Sequence, residues 1–157
     1  MATTTFSGPV TSTNGFIGAL TGNVTGNVTG NVAGSGSITH ATTAAINATA
    51  TATAAEVATG YITSTSVGTV TITLPTGTLL GAALGAAKGT VFDLYVDNTA
   101  GASVVTMAVA TNGILSSGAA DTPGSFGDLT IAAGATGLAR FTIMFSSATA
   151  YVFTRTA

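Results

Sequence analysis

Cysteine is absent from the 157 residues, which excludes a disulfide framework, a thiol nucleophile and any cysteine-ligated metal. Charge is nearly absent as well. Charged side chains make up 5% of the chain, against about 25% in an ordinary soluble domain, so the surface must be built from Thr, Ser, Asn, Gly and Ala. The only basic residues are the scattered Lys88, Arg140 and Arg155, and the net charge is −2. No positive field exists to attract nucleic acid or anionic lipid, and neither is expected as a partner. Long hydrophobic runs are missing too. The longest helix-like apolar run, Leu79 to Ala87, falls far short of the roughly 20 residues a membrane span needs. The mean hydropathy of +0.60 comes instead from Ala and Val dispersed among Thr and Gly. The opening Met1-Ala-Thr-Thr-Thr-Phe6 has neither a basic nor an apolar signal region, so no secretion signal is expected.

The groups that carry catalysis are equally sparse. His40 is the only histidine and lies in an Ala/Thr tract with no neighbouring acid, so it reads as a bland polar position rather than a general base. Asp93 and Asp97 share parity on an expected strand but sit about 13 Å apart, wider than either glycosidase carboxylate spacing. Asp97 reads instead as a turn residue with Asn98. A loop calcium could draw on Asp121, Asp128 or Asp97 together with loop carbonyls, but no metal or cofactor is expected. Gly85-Ala-Ala-Lys-Gly-Thr90 lacks the lysine placement and following helix of a phosphate loop. Phe6, Tyr61, Phe92, Tyr95, Phe141, Phe145, Tyr151 and Phe153 read as packing anchors, with a carbohydrate-binding aromatic platform as the alternative. No catalytic residue is assigned and the chain is not expected to be an enzyme.

What is present is a repeat. From Phe16 the chain reads Phe-Ile-Gly-Ala, Leu-Thr-Gly-Asn, two copies of Val-Thr-Gly-Asn, then Val-Ala-Gly34. Phe16, Leu20, Val24, Val28 and Val32 recur every fourth residue, as do Gly18, Gly22, Gly26, Gly30 and Gly34. On an extended chain an even period keeps a row on one face, whereas a helix would carry five glycines at about 1 kcal/mol each. Ordering one backbone residue costs about 1–2 kcal/mol and one buried Val or Leu returns about 1.5–3 kcal/mol. One large apolar residue in four therefore cannot order a lone strand. The row needs the same row from other copies, and glycine at fixed spacing lets three backbones approach an axis. A homotrimeric β-stalk is expected, with Phe16, Leu20, Gly22, Val24, Gly26, Val28, Gly30 and Val32 as its assembly residues.

The expected organisation is an N-terminal arm at 1–15, the stalk at 16–34, an Ala/Thr-rich linker at 35–59 and a β-sandwich at 60–157. Within the linker, Thr49–Thr53 alternates like a thin strand. Strands are expected over 67–74, 90–96, 103–110, 129–131, 138–145 and 151–154, separated by Pro, Asn, Asp and Gly turns, with 79–87 a loop or single helical turn. This pattern predicts an all-β chain ending in a jelly-roll-like sandwich.

The opening Phe6-Ser-Gly-Pro-Val-Thr-Ser-Thr-Asn-Gly-Phe16 and the Gly-Asn-Val-Thr repeats resemble the N-terminal stalks of tailed-bacteriophage head decoration and fibre proteins. Val70-Thr-Ile-Thr-Leu-Pro75, Val91-Phe-Asp-Leu-Tyr-Val-Asp-Asn98 and Val104-Val-Thr-Met107 look like small phage virion β-domains. The resemblance implies a trimer on the outer capsid surface that cements the shell, held to the major capsid protein by an arm that includes Phe6, Pro9 and Val10. The alternative is a trimeric tail fibre or spike that binds a host receptor or glycan. A glycan depolymerase is disfavoured by the missing carboxylate pair, and a bacterial adhesin by the missing signal.

The stalk makes one sharp prediction. Val28→Asp would set a carboxylate beside the shared axis in every chain, at several kcal/mol for a buried ion. Sedimentation equilibrium should then show trimers giving way to monomers. A wild-type chain that sediments as a folded monomer would overturn the three-fold reading.

Overall fold

The computed structural model describes residues 40, 43–115 and 129–156. All of the described residues belong to one compact unit, Ser37–Ala157. The elements run β1 (Ala44–Ala45), β2 (Ala50–Thr51), α1 (Ala54–Ala58), β3 (Tyr61–Thr63), β4 (Val70–Leu74), α2 (Gly77–Leu84), β5 (Val91–Asp97), β6 (Val105–Val109), β7 (Gly113–Leu115), β8 (Thr130–Ile131), β9 (Leu138–Ser147) and β10 (Ala150–Arg155). A 3₁₀ turn at Gly134–Thr136 precedes β9.

Two sheets form, a six-stranded one ordered β1-β3-β5-β9-β10-β7 and a four-stranded one ordered β2-β4-β6-β8. Up to β6 the chain places successive strands in alternate sheets. Each parallel pair β1–β3, β3–β5, β2–β4 and β4–β6 is therefore joined through a strand of the opposite sheet and a helix. This is a helical coil of chain with two sheets as its sides, and it meets the rule that parallel neighbours need a long crossover. The hairpin β9–β10 then inserts antiparallel beside β5, β7 lies parallel on its far side, and β8 closes the smaller sheet antiparallel to β6.

The all-β, jelly-roll-like expectation is thus overturned. The fold is mixed α/β, with parallel and antiparallel strands in both sheets and 16% helix among the described residues. Two signals hid the helices. Thr53-Ala-Ala-Glu56 is a capping box inside the Ala/Thr tract: the Thr53 amide donates to Glu56 Oε2 at 2.7 Å and the Glu56 amide donates to Thr53 Oγ1 at 3.2 Å. In α2, Thr76 caps the start, Gly85 ends it at φ 58°, and two glycines lie inside it. Glycine lowers helix propensity, but here it is required by packing. A Cβ at Gly77 would meet the Thr149 carbonyl oxygen, and one at Gly81 the Ala148 carbonyl oxygen, both in the β9–β10 turn. The helix lies on that turn with no room for a methyl group.

Alternation within the strands builds the core. Ile62, Leu94, Val96, Phe141, Ile143, Phe145, Tyr151 and Phe153 face inward from the larger sheet. Val70, Ile72, Leu74, Val105, Met107 and Ile131 face inward from the smaller, and all join one cluster with Val57 and Leu80 of the helices. Phe141 and Phe153 stack at 4.8 Å between centroids. The Tyr151 hydroxyl donates to the Pro75 carbonyl at 3.0 Å, and burial pushes its pKa up to about 12.

Asn98, fully buried, ties the open end of the sandwich together. Its amide nitrogen donates to the carbonyls of Ser103 and Ala132, each at 2.9 Å. Its backbone amide donates to the Gly137 carbonyl, and its own carbonyl accepts from Gly101 at 3.0 Å. One residue at the end of β5 therefore ties together the segment leading into β6 and the end of β8 through its side chain, and the start of β9 through its backbone. Among the described residues no helix is long and apolar enough to cross a membrane.

The two helix glycines give opposite expectations to propensity alone. Gly→Ala in an exposed helix stabilises by about 1 kcal/mol, but Gly81→Ala should destabilise by about 1–3 kcal/mol through overpacking. Thermal denaturation checks the sign: a melting temperature above that of the wild type would show that the close approach to Ala148 does not exist.

Candidate functional site

The outward face of the larger sheet is zoned by register. Odd positions of β5 and even positions of β9 point away from the core, because Leu94, Val96, Phe141, Ile143 and Phe145 occupy the alternate positions. One row across four adjacent strands is apolar: Val91, Met144, Val152 and Ile114 are paired in sequence across β5, β9, β10 and β7. Val91, Met144 and Ile114 are 51–56% exposed, so this row is a solvent-facing stripe rather than core. The next row is polar, with Thr142 Oγ1 donating to Asp93 Oδ1 at 2.8 Å. Beyond it Tyr61, Tyr95 and Arg140 are paired side by side across β3, β5 and β9.

The aromatic end of this face is a cleft of about 530 Å³ lined by His40, Tyr61, Val91, Phe92, Asp93, Tyr95 and Leu138. Its rings form a triangle. The His40 centroid lies 5.9 Å from Tyr61 and 5.7 Å from Tyr95, and the two tyrosines are 6.4 Å apart with planes inclined by 23°. Each ring has a reason to be there. His40 Nδ1 donates to the Thr59 carbonyl at 2.8 Å. Its ring rests against Gly60, whose φ is +75° and where a Cβ would come within 2.5 Å of His40 Cε1. Gly60 thus serves the α1–β3 turn and the histidine seat together. Its carbonyl also accepts the Tyr95 amide at 2.9 Å.

The Tyr61 hydroxyl donates to Asp97 Oδ2 at 2.8 Å. Asp97 Oδ1 accepts the Thr99 hydroxyl at 2.6 Å and the Thr99 amide at 2.9 Å, the local turn that its position before Asn98 foretells. The Thr99 hydroxyl does most to hold the Asp97 carboxyl below its ordinary value of 3.8, with the Thr99 amide and Tyr61 hydroxyl adding to it against the opposing effect of burial. The same hydrogen bond to Asp97, then burial and the carboxylate charge, hold the Tyr61 phenol above 10.0.

The assembly residues Phe16, Leu20, Gly22, Val24, Gly26, Val28, Gly30 and Val32, the arm residues Phe6, Pro9 and Val10, and Asp121 and Asp128 lie outside the described residues. Among the residues that are described, no group of three or more His, Asp or Glu side chains converges to hold a metal ion. Phe141, Phe145, Tyr151 and Phe153 are core, as read from sequence, but Tyr61 and Tyr95 stand on the outer face and are only half-buried. His40, read as bland, is brought onto these two tyrosines. The available signal was the odd parity that Tyr95 shares with Asp93 and Asp97, opposite to Leu94 and Val96.

The linked Thr99–Asp97–Tyr61 bonds predict a pH dependence. A carboxyl with a lowered folded pKa contributes stability that is complete above its unfolded value near 3.8 and is lost as pH falls through the folded value. Melts followed from neutral pH into the acid range should therefore show a steeper loss in the wild type than in Asp97→Asn. Identical acid limbs would show that these bonds contribute nothing.

No family model, no curated protein and no solved structure matches the chain.

Proposed function

We propose that the chain is a structural virion protein: a homotrimer that decorates a bacteriophage capsid on its outer surface and cements it, with the major capsid protein as partner and no catalytic role. The observation that carries this reading is the four-residue alternation of large apolar residues and glycine over 16–34, which cannot order itself as a single chain and calls for identical neighbours.

Two features of the described domain support it. Among the described residues, the first strands of both sheets, β1 and β2, are edge strands of two residues each. Exposed strand edges add further strands by backbone pairing. The very low charge content also lets a neighbour cover the surface without stripping water from ions. Three arms acting together raise avidity without any single strong contact.

Quantitative mass spectrometry of purified virions is expected to find the chain at a copy number matching the capsid lattice. Deleting residues 1–34 should abolish attachment while circular dichroism shows the rest folded. Heads stripped of the protein should rupture at lower temperature, since each bound copy stabilises the shell by mass action. Attachment should depend weakly on salt, because few ions are involved. Full occupancy by the truncated protein would refute the anchoring arm, and recovery from tails alone would replace this reading with the tail-fibre one.

A further inference from the structure

We propose that the His40–Tyr61–Tyr95 cleft is a binding site for a neutral saccharide, a function separate from attachment to a virion and independent of where the protein is mounted. The cleft volume of about 530 Å³ lies inside the range of about 300–1,000 Å³ in which small ligands are held. Val91, Phe92 and Leu138 extend the apolar surface beside the three rings.

The frame is organised before any ligand arrives, which lowers the entropy lost on binding. His40 is fixed by the Thr59 carbonyl and by the absence of a side chain at Gly60. Tyr61 is fixed by Asp97, which Thr99 fixes in turn. Tyr95 is held by its register between Tyr61 and Arg140. Aromatic side chains on an outer sheet face with this much local bracing are more than incidental surface.

The polar groups of the cleft select the class of ligand. Because the Thr59 carbonyl can only accept, His40 Nδ1 is the donor of that hydrogen bond, which makes Nε2 the acceptor of a ring that carries one proton. Asp93 is likewise an acceptor: one oxygen takes the Thr142 hydroxyl, and the carboxylate has lone pairs left over. Ring faces beside acceptors complement a ligand with an apolar C–H face and a rim of O–H donors, which describes a pyranose. An anion would meet the Asp93 carboxylate in the lining. A quaternary ammonium would be drawn to the rings and to Asp93, but its cationic group carries no N–H or O–H for the His40 and Asp93 acceptors, so choline is the probe that separates the two classes.

The test uses the full-length purified protein and a panel of methyl glycosides of glucose, galactose, mannose and N-acetylglucosamine, with the corresponding disaccharides. Choline and inorganic phosphate are the comparison probes. Titration followed by tyrosine fluorescence and by NMR of the tyrosine and histidine rings should show saturable binding of at least one saccharide. Tyr95→Ala should weaken it about tenfold, the loss of one aromatic contact. Asp93→Ala, a rim substitution that removes no core atom, should weaken the same saccharide and leave the melting temperature unchanged. The proposal is overturned by an absence of saturable binding across the panel, by binding that Tyr95→Ala and Asp93→Ala leave intact, or by a preference for choline or phosphate over every saccharide.

Discussion

The alternation of the chain between two sheets is the constraint on which the rest of this fold depends. Apart from the β9–β10 hairpin, neither sheet pairs strands that follow one another in the chain, because the strand after each strand up to β6 belongs to the opposite sheet. Ile62, Leu94 and Val96 on one side, and Val70, Ile72 and Val105 on the other, belong to one core cluster and sit in the parallel ladders of the two sheets. Long-range pairing of this kind delays the return on loop-closure entropy and makes folding slow.

That constraint explains where glycine and buried polar groups are placed. The crossovers β2–α1–β3 and β4–α2–β5 return the chain from the smaller to the larger sheet. The second must clear the β9–β10 turn, which inserts later in the sequence, and Gly77 and Gly81 provide the clearance. At the opposite end Asn98 replaces what a longer strand would do, its amide reaching carbonyls on two other segments of chain. A polar side chain buried with its donors satisfied specifies one arrangement of those segments, whereas an apolar one would fill the space without fixing it.

The outer face inherits its chemistry from the same register. Once β5 is pinned between β3 and β9, the positions that alternate with the core are forced outward. Tyr95 then falls beside Tyr61, and Val91 beside Met144. The turn that brings β3 into the larger sheet needs Gly60 at positive φ, and that glycine leaves the space His40 occupies. The cleft is thus a by-product of strand pairing and one turn, which is why it joins residues distant in sequence without any local motif to announce it.

The amino-acid sequence by itself determined the strands whose residues alternate clearly. Val70–Leu74, Val91–Asp97, Val105–Val109, Leu138–Ser147 and Ala150–Arg155 lie within a few residues of where alternation of apolar and polar side chains sets them, because period two is a local property. It also determined the Asp97 turn, since an aspartate caps the amide two residues on whatever surrounds it. Tertiary structure alone decided the direction of pairing, because a strand's alternation is the same whether its neighbour runs parallel or antiparallel. It decided that Gly77 and Gly81 belong in a helix, since their reason is a carbonyl contributed by a distant turn. It decided that Asn98 is buried while its neighbour Asp97 stays near the surface, and that His40 joins two tyrosines. In each of these cases the stabilising partner lies on another segment of chain, and only the packed core brings that segment within reach.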